Sequence, residues 1–132
     1  MKMIDLTSYE NALKTLNEII IRYDKESYDN AIRDAVIQRF EYTYSLAIKI
    51  MMRYLQQQIT DFPDTPTFNE IIRKANQVGL LLNNLEKWTD YRHKRNLTSH
   101  TYEESIANTV ISVVKDFQKD AEFLLTELKK RV

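Results

Sequence analysis

One glycine and two prolines in 132 residues set the terms for this chain. An architecture of many short strands needs tight turns, and those turns draw on glycine, proline and asparagine–glycine pairs. A chain this poor in them turns back only a few times, so its elements must be long. The apolar pattern says which elements. Leu6, Tyr9, Leu13, Leu16, Ile20 and Tyr23 recur at three- and four-residue steps, the spacing of one helix face, and the stripe ends in Asp24-Lys25-Glu26-Ser27. Ile32, Val36, Phe40, Tyr44, Ala47, Met51 and Leu55 make a longer second stripe, with Arg33, Asp34, Gln38, Arg39 and Lys49 largely off it. Both prolines fall in Asp61-Phe62-Pro63-Asp64-Thr65-Pro66, the one clear linker. Thr65 or Thr67 is suited to cap a short third helix running to Ala75, and Gly79 marks a break. Leu80, Leu81, Leu82, Leu85 and Trp88 predict a fourth helix that frays near Arg95. Ile106, Val110, Val113, Phe117, Ala121, Leu124 and Leu128 predict a last helix, with Thr101 as its N-cap and Glu104 closing a capping box. The expected fold is all-α: an antiparallel up-and-down bundle of four main helices plus a short one, forming one domain over residues 1–132.

The second helix carries further apolar side chains off its stripe: Ile37, Tyr42, Leu46, Ile48, Ile50, Met52 and Tyr54. A helix apolar around most of its girth is buried on more than one side. A small bundle is expected to cover the excess with a second copy, so a homodimer is predicted. The absence of cysteine excludes disulfides, thiolate metal sites and cysteine nucleophiles, and fits a reducing cytoplasm. Two histidines without cysteine give no metal-ligand spacing, so neither a metal nor a cofactor is expected. With 19 basic and 19 acidic residues the chain is no general nucleic-acid coat, although Arg92-His93-Lys94-Arg95 is a local basic run. Arg92 and Lys94 also suit the negative end of a helix dipole, and His93 reads as a solvated helix-end residue. No apolar run approaches the roughly 18 residues of a membrane span, and Asp5 and Glu10 arrive too early for a leader core.

The chemistry concentrates in Arg95-Asn96-Leu97-Thr98-Ser99-His100-Thr101-Tyr102, where the helical pattern breaks. Arginine presents a planar fork of donors to phosphate oxygens. Histidine is the side chain whose ordinary pKa suits proton transfer near neutrality. Tyrosine adds a hydroxyl and a stacking face. The segment resembles the R-x4-H-x-Y motif of HEPN-domain proteins, in the branch that holds HepT toxins and nucleotidyltransferase substrate-binding proteins. The block Val36 to Ala47 resembles that branch's long second helix, Trp88 falls where the branch tends to carry a tryptophan, and the likeness runs from about Tyr9 to Leu128. Ile48 stands where the branch often has tryptophan, and Glu103 where asparagine is frequent after the motif tyrosine.

The resemblance implies a homodimeric, metal-independent endoribonuclease in which the 2′-hydroxyl attacks the neighbouring phosphorus. His100 would be the general acid/base and Arg95 the clamp on the charged transition state. Asn96 would position the phosphate or end the preceding helix. Glu41 would orient Arg95 or another basic group; Asp34, seven residues earlier, shares its helix face. Tyr102 would accept AMP from a cognate small nucleotidyltransferase, an MntA-like antitoxin, which would silence the toxin by adding bulk and negative charge. The chain itself lacks the Gly-Ser and Asp-x-Asp pattern of such a transferase. Zero net charge and Glu103 favour the alternative, a non-catalytic substrate-binding subunit of a two-component nucleotidyltransferase.

Overall fold

The computed structural model describes residues 4–132. The stretch Met1 to Met3, which entered the expectation about a leader, lies outside them. Among the described residues the fold is all-α: α1 (Thr7–Lys25), α2 (Asn30–Gln58), α3 (Phe68–Gln77), α4 (Leu85–Asn96), a 3-10 turn (Thr98–His100), α5 (Glu104–Ile111) and α6 (Val114–Arg131). No helix there is long and apolar enough to cross a membrane.

α1 and α2 form an antiparallel hairpin. Asp29 opens α2 by accepting from the amides of Ala31 at 2.8 Å and Ile32 at 3.4 Å, which satisfies two of the donors a helix start leaves free. α2 has 29 residues, roughly 43 Å at the usual rise, and α1, α3, α4, α5 and α6 all pack on it. That central position accounts for its apolar girth. Ile37, Ile50 and Tyr54 are buried, while Leu46, Ile48 and Met52 lie partly buried against the same core. Tyr42 is exposed, and its hydroxyl lies 2.5 Å from Thr15 Oγ1. Most of the girth is therefore covered within the one chain, and Tyr42 and parts of Leu46, Ile48 and Met52 are left at the surface.

Thr67 caps α3 in a complete capping box with Glu70, which decides between the two threonines. Gly79 ends α3 at a φ of 82°, a conformation that favours glycine. Three expectations about the remaining helices change. α4 starts at Leu85 rather than Leu80, because the Asn84 side chain accepts from the Lys87 amide and acts as N-cap. Leu80 and Leu81 are buried in the connection itself. α4 ends at Asn96, one residue past Arg95, where the helical pattern was expected to break.

The last helix is two helices. Ser112 Oγ donates to Thr109 O at 2.6 Å and Thr109 Oγ1 to Ser105 O at 2.9 Å, so side chains draw on backbone carbonyls just where the helix breaks. The apolar repeat continues in phase across that break, so periodicity could not reveal it. Thr101 is not the cap of α5. Glu103 occupies that position without a side-chain cap, and Thr101 Oγ1 donates instead to Thr98 O at 3.3 Å.

The core gathers where α2, α4 and α6 meet. Phe117 packs edge-on against Phe40, Tyr91 and Trp88 at 5.1, 5.4 and 6.0 Å between ring centres. Asp120 is buried beneath this cluster and accepts from the Tyr91 hydroxyl and, at 2.8 Å, from Asn83 Nδ2. A buried carboxylate without such donors would be costly, so this pairing fixes how α4 seats on α6. Burial, and then the bond to Asp120, pushes the Tyr91 phenol far above its ordinary pKa.

Candidate functional site

α4 carries both the anchor and the site. Trp88 and Tyr91 are fully buried near its start. Arg95 lies seven residues after Trp88, two helical turns along, so its stem continues the side that faces α2. Its guanidinium comes out at the surface with the side chain 39% exposed, 4.0 Å from Glu41 Oε1 on α2. The basic run is dispersed by the winding of the helix. Arg92 stacks over the Phe68 ring at 4.8 Å, Lys94 pairs with Asp90 at 2.6 Å, and His93 is exposed.

The chain then turns sharply. Leu97 N donates to Lys94 O at 3.0 Å, Thr98 Oγ1 to Arg95 O at 2.7 Å and His100 N to Leu97 O at 3.0 Å. These bonds make a compact turn whose outer face holds Ser99, His100 and Tyr102. His100 therefore sits on the 3-10 turn rather than on the first turn of a helix, and Tyr102 follows it ahead of α5. Tyr102 is 81% exposed. The imidazole and the phenol meet edge to face, with ring centres 6.3 Å apart.

The structure thus brings the expected residues together in two pairs, Glu41 with Arg95 and His100 with Tyr102. Among the described residues no hydrogen bond or ion pair links one pair to the other. Asn96, the last residue of α4, lines a groove with Arg95. Asp34 is not brought to the site: it lies two turns before Glu41, roughly 10 Å along the helix, and pairs with its neighbour Arg33 at 3.3 Å.

Residues beyond the expected set share that groove. Tyr44 and Arg92 line it with Arg95. Burial pushes the Tyr44 phenol up to about 12, partly offset by the charges of Arg92 and Arg95. Read only as a helix-end cation, Arg92 was missed; the available signal was its place three residues before Arg95, on the same helical face. Among the described residues no three His, Asp or Glu side chains cluster as metal ligands would.

Residues 4–130 match the family described as nucleotidyltransferase substrate binding protein like. The chain belongs to that family. A Haemophilus influenzae relative named "Probable ribonuclease HepT" is 33% identical over 138 residues, covering 97% of this chain and 94% of the relative. Among solved structures, a Haemophilus influenzae protein described as having the fold of a substrate binding domain of a nucleotidyltransferase superposes with a TM-score of 0.88 at 31% identity, over 95% of this chain and 99% of the other. A protein from Thermus thermophilus superposes with a TM-score of 0.73 at 31% identity, over 91% of this chain and 98% of the other. This member of the nucleotidyltransferase substrate-binding family therefore shares a whole helical chain with its relatives, rather than a local motif.

Proposed function

We propose that this protein is a HepT-type, metal-independent endoribonuclease of a cytoplasmic toxin–antitoxin pair, silenced when a separately encoded small nucleotidyltransferase transfers AMP to Tyr102. The observation that carries the reading is the exposed His100–Tyr102 pair on a turn directly after the Arg95–Glu41 pair. The relative named as a probable ribonuclease supports it. In the reaction the ribose 2′-oxygen bonds to the adjacent phosphorus and gives its proton to a base, and the bond to the 5′-oxygen breaks as that oxygen takes up a proton. His100 is the proton carrier. Arg95, with Glu41 4.0 Å from its guanidinium, stabilises the charge that builds on the phosphoryl oxygens.

Two proton transfers and one histidine per motif call for two motifs at one cleft, and this is the basis on which we infer a homodimer. AMP transfer joins the Tyr102 oxygen to the α-phosphorus of a nucleoside triphosphate, with loss of the phenol proton and departure of pyrophosphate. The exposure of Tyr102 suits an acceptor that a second protein must reach. The added phosphodiester would repel RNA phosphate beside His100.

The deciding experiment is RNA cleavage in EDTA by protein whose intact mass shows no AMP, run beside His100→Ala. Cleavage by the wild type that is lost in the variant is the expected result. A clean wild type that cleaves none of a varied set of RNAs would leave the substrate-binding subunit as the reading. Glu103 and Glu104, exposed beside Tyr102, already favour that second reading by making the turn less attractive to RNA.

A further inference from the structure

Between α2, α3 and the last turn of α4 lies a groove of about 420 Å³, within the roughly 300–1,000 Å³ typical of small-molecule sites. Arg92, Arg95 and Asn96 line it, and no carboxylate is among its lining residues; Glu41 stands beside it, 4.0 Å from the Arg95 guanidinium. Four other surface grooves of this chain each include at least one carboxylate: Glu86 and Asp90, Asp5 and Glu10, Asp61 and Glu70, and Asp5 again. On a chain with no net charge this local sign is a specific feature. The remaining wall is apolar and aromatic: Ile48, Phe68 and Ile71. Arg92 lies over the Phe68 ring at the edge of that wall, 4.8 Å from its centre. Tyr44, largely buried, also lines the groove, and its hydroxyl has no hydrogen-bond partner among the described residues.

We propose that this groove holds one unstacked nucleotide of single-stranded RNA, with its phosphate between Arg92 and Arg95 and its base against Ile48, Phe68 and Ile71. Bases freed from a stack are recognised by aromatic faces and arginine planes, and by polar groups on their edges. The groove offers each of these: Phe68, Arg92, and the Tyr44 hydroxyl with the Asn96 amide. Arg95 belongs to both the groove and the motif turn, so the bound nucleotide would adjoin the phosphate that reacts. That last placement rests on the ribonuclease reading; binding itself does not. A duplex would not fit, because its bases are not free to enter.

The test is fluorescence anisotropy with a labelled short single-stranded oligoribonucleotide, using His100→Ala as the non-cleaving reference. Arg92→Gln removes one cation, and Ser45→Trp fills the groove from an exposed helix position. Each should weaken binding about tenfold, the order expected for losing one stacked base or one charge-assisted contact. In the cleaving background each should raise KM while kcat stays within about twofold, since the contact serves ground and transition states alike. A 4-thiouridine in the RNA should crosslink to residues of this groove on otherwise unsubstituted protein, which keeps the test independent of how any variant folds. Unchanged affinity in both variants, crosslinks confined elsewhere, or no RNA binding at all would overturn the proposal. So would a change in oligomeric mass on Ser45→Trp, which would make the groove a contact between copies. Groove-dependent binding without cleavage would sink the ribonuclease reading alone; cleavage with groove-independent binding would sink the nucleotide site alone.

Discussion

The two ends of α4 live under opposite rules. The Trp88 and Tyr91 side chains are fully buried among aromatic neighbours, and Tyr91 is bonded to a buried carboxylate. Two turns later the helix carries Arg95 to the surface and hands the chain to a turn whose imidazole and phenol face solvent. One end is a fastened platform; the other holds reactive groups clear of the core. The difference separates the residues that set the stability of this protein from those proposed to set its chemistry, and substitutions at the two ends should reflect it.

The largest loss of stability belongs to the platform. Phe117→Ala removes the ring that Phe40, Trp88 and Tyr91 all touch, and should cost about 3–5 kcal/mol in denaturant unfolding. A loss below about 1 kcal/mol would mean that α4 is seated some other way. Next comes alkali. An ordinary tyrosine ionises near pH 10, whereas burial holds Tyr44 at about 12 and also raises Tyr9 and Tyr91 well above the ordinary value. These are raised values, so their contribution is complete below the unfolded pKa and is lost as pH rises through the folded one. Stability should fall above about pH 10, on the order of 2 kcal/mol through Tyr44 alone. A flat profile into strong alkali would contradict that burial. Tyr91→Phe leaves Asp120 with Asn83 as its one remaining side-chain donor and should cost about 1–3 kcal/mol, read from the thermal midpoint.

Smaller effects sharpen the contrast. Thr67→Ala breaks the α3 capping box and should cost about 1 kcal/mol while leaving the aromatic cluster unchanged by near-ultraviolet dichroism. His100→Ala and Tyr102→Phe should each move stability by less than about 0.5 kcal/mol, because neither side chain is buried. Unfolding of either variant under assay conditions would erase the separation and would disqualify it as a probe of chemistry.

The sequence carried the platform more fully than the turn. The apolar stripes of α1 and α2 were legible because burial imposes the helical period on every third or fourth residue. Punctuation written in side-chain hydrogen bonds was legible only in part. Thr67 stood out as a candidate cap, whereas Asn84 and the Ser105–Thr109–Ser112 series did not, since such residues sit equally well on an exposed helix face. Thr101 shows the converse: its spacing to Glu104 fitted a capping box, but the tight turn after α4 took up its hydroxyl first. The apolar girth of α2 was legible too, and most of it follows from a central place among the other helices of the chain. At the site, spacing alone could link Arg95 to His100 and to Arg92, but not to Phe68 and Tyr44, which only the crossing of α2, α3 and α4 brings to one groove.

Trp88 is the lone tryptophan, and it sits in the core with none of its surface accessible to water. Its emission is therefore a built-in optical gauge of the fold, shifting to longer wavelength when the aromatic cluster opens. Adenylate placed on Tyr102, or RNA held at the turn, should leave that emission alone and register in mass or anisotropy instead. Integrity and occupancy can be followed in one cuvette through separate channels, with no dye attached to the protein.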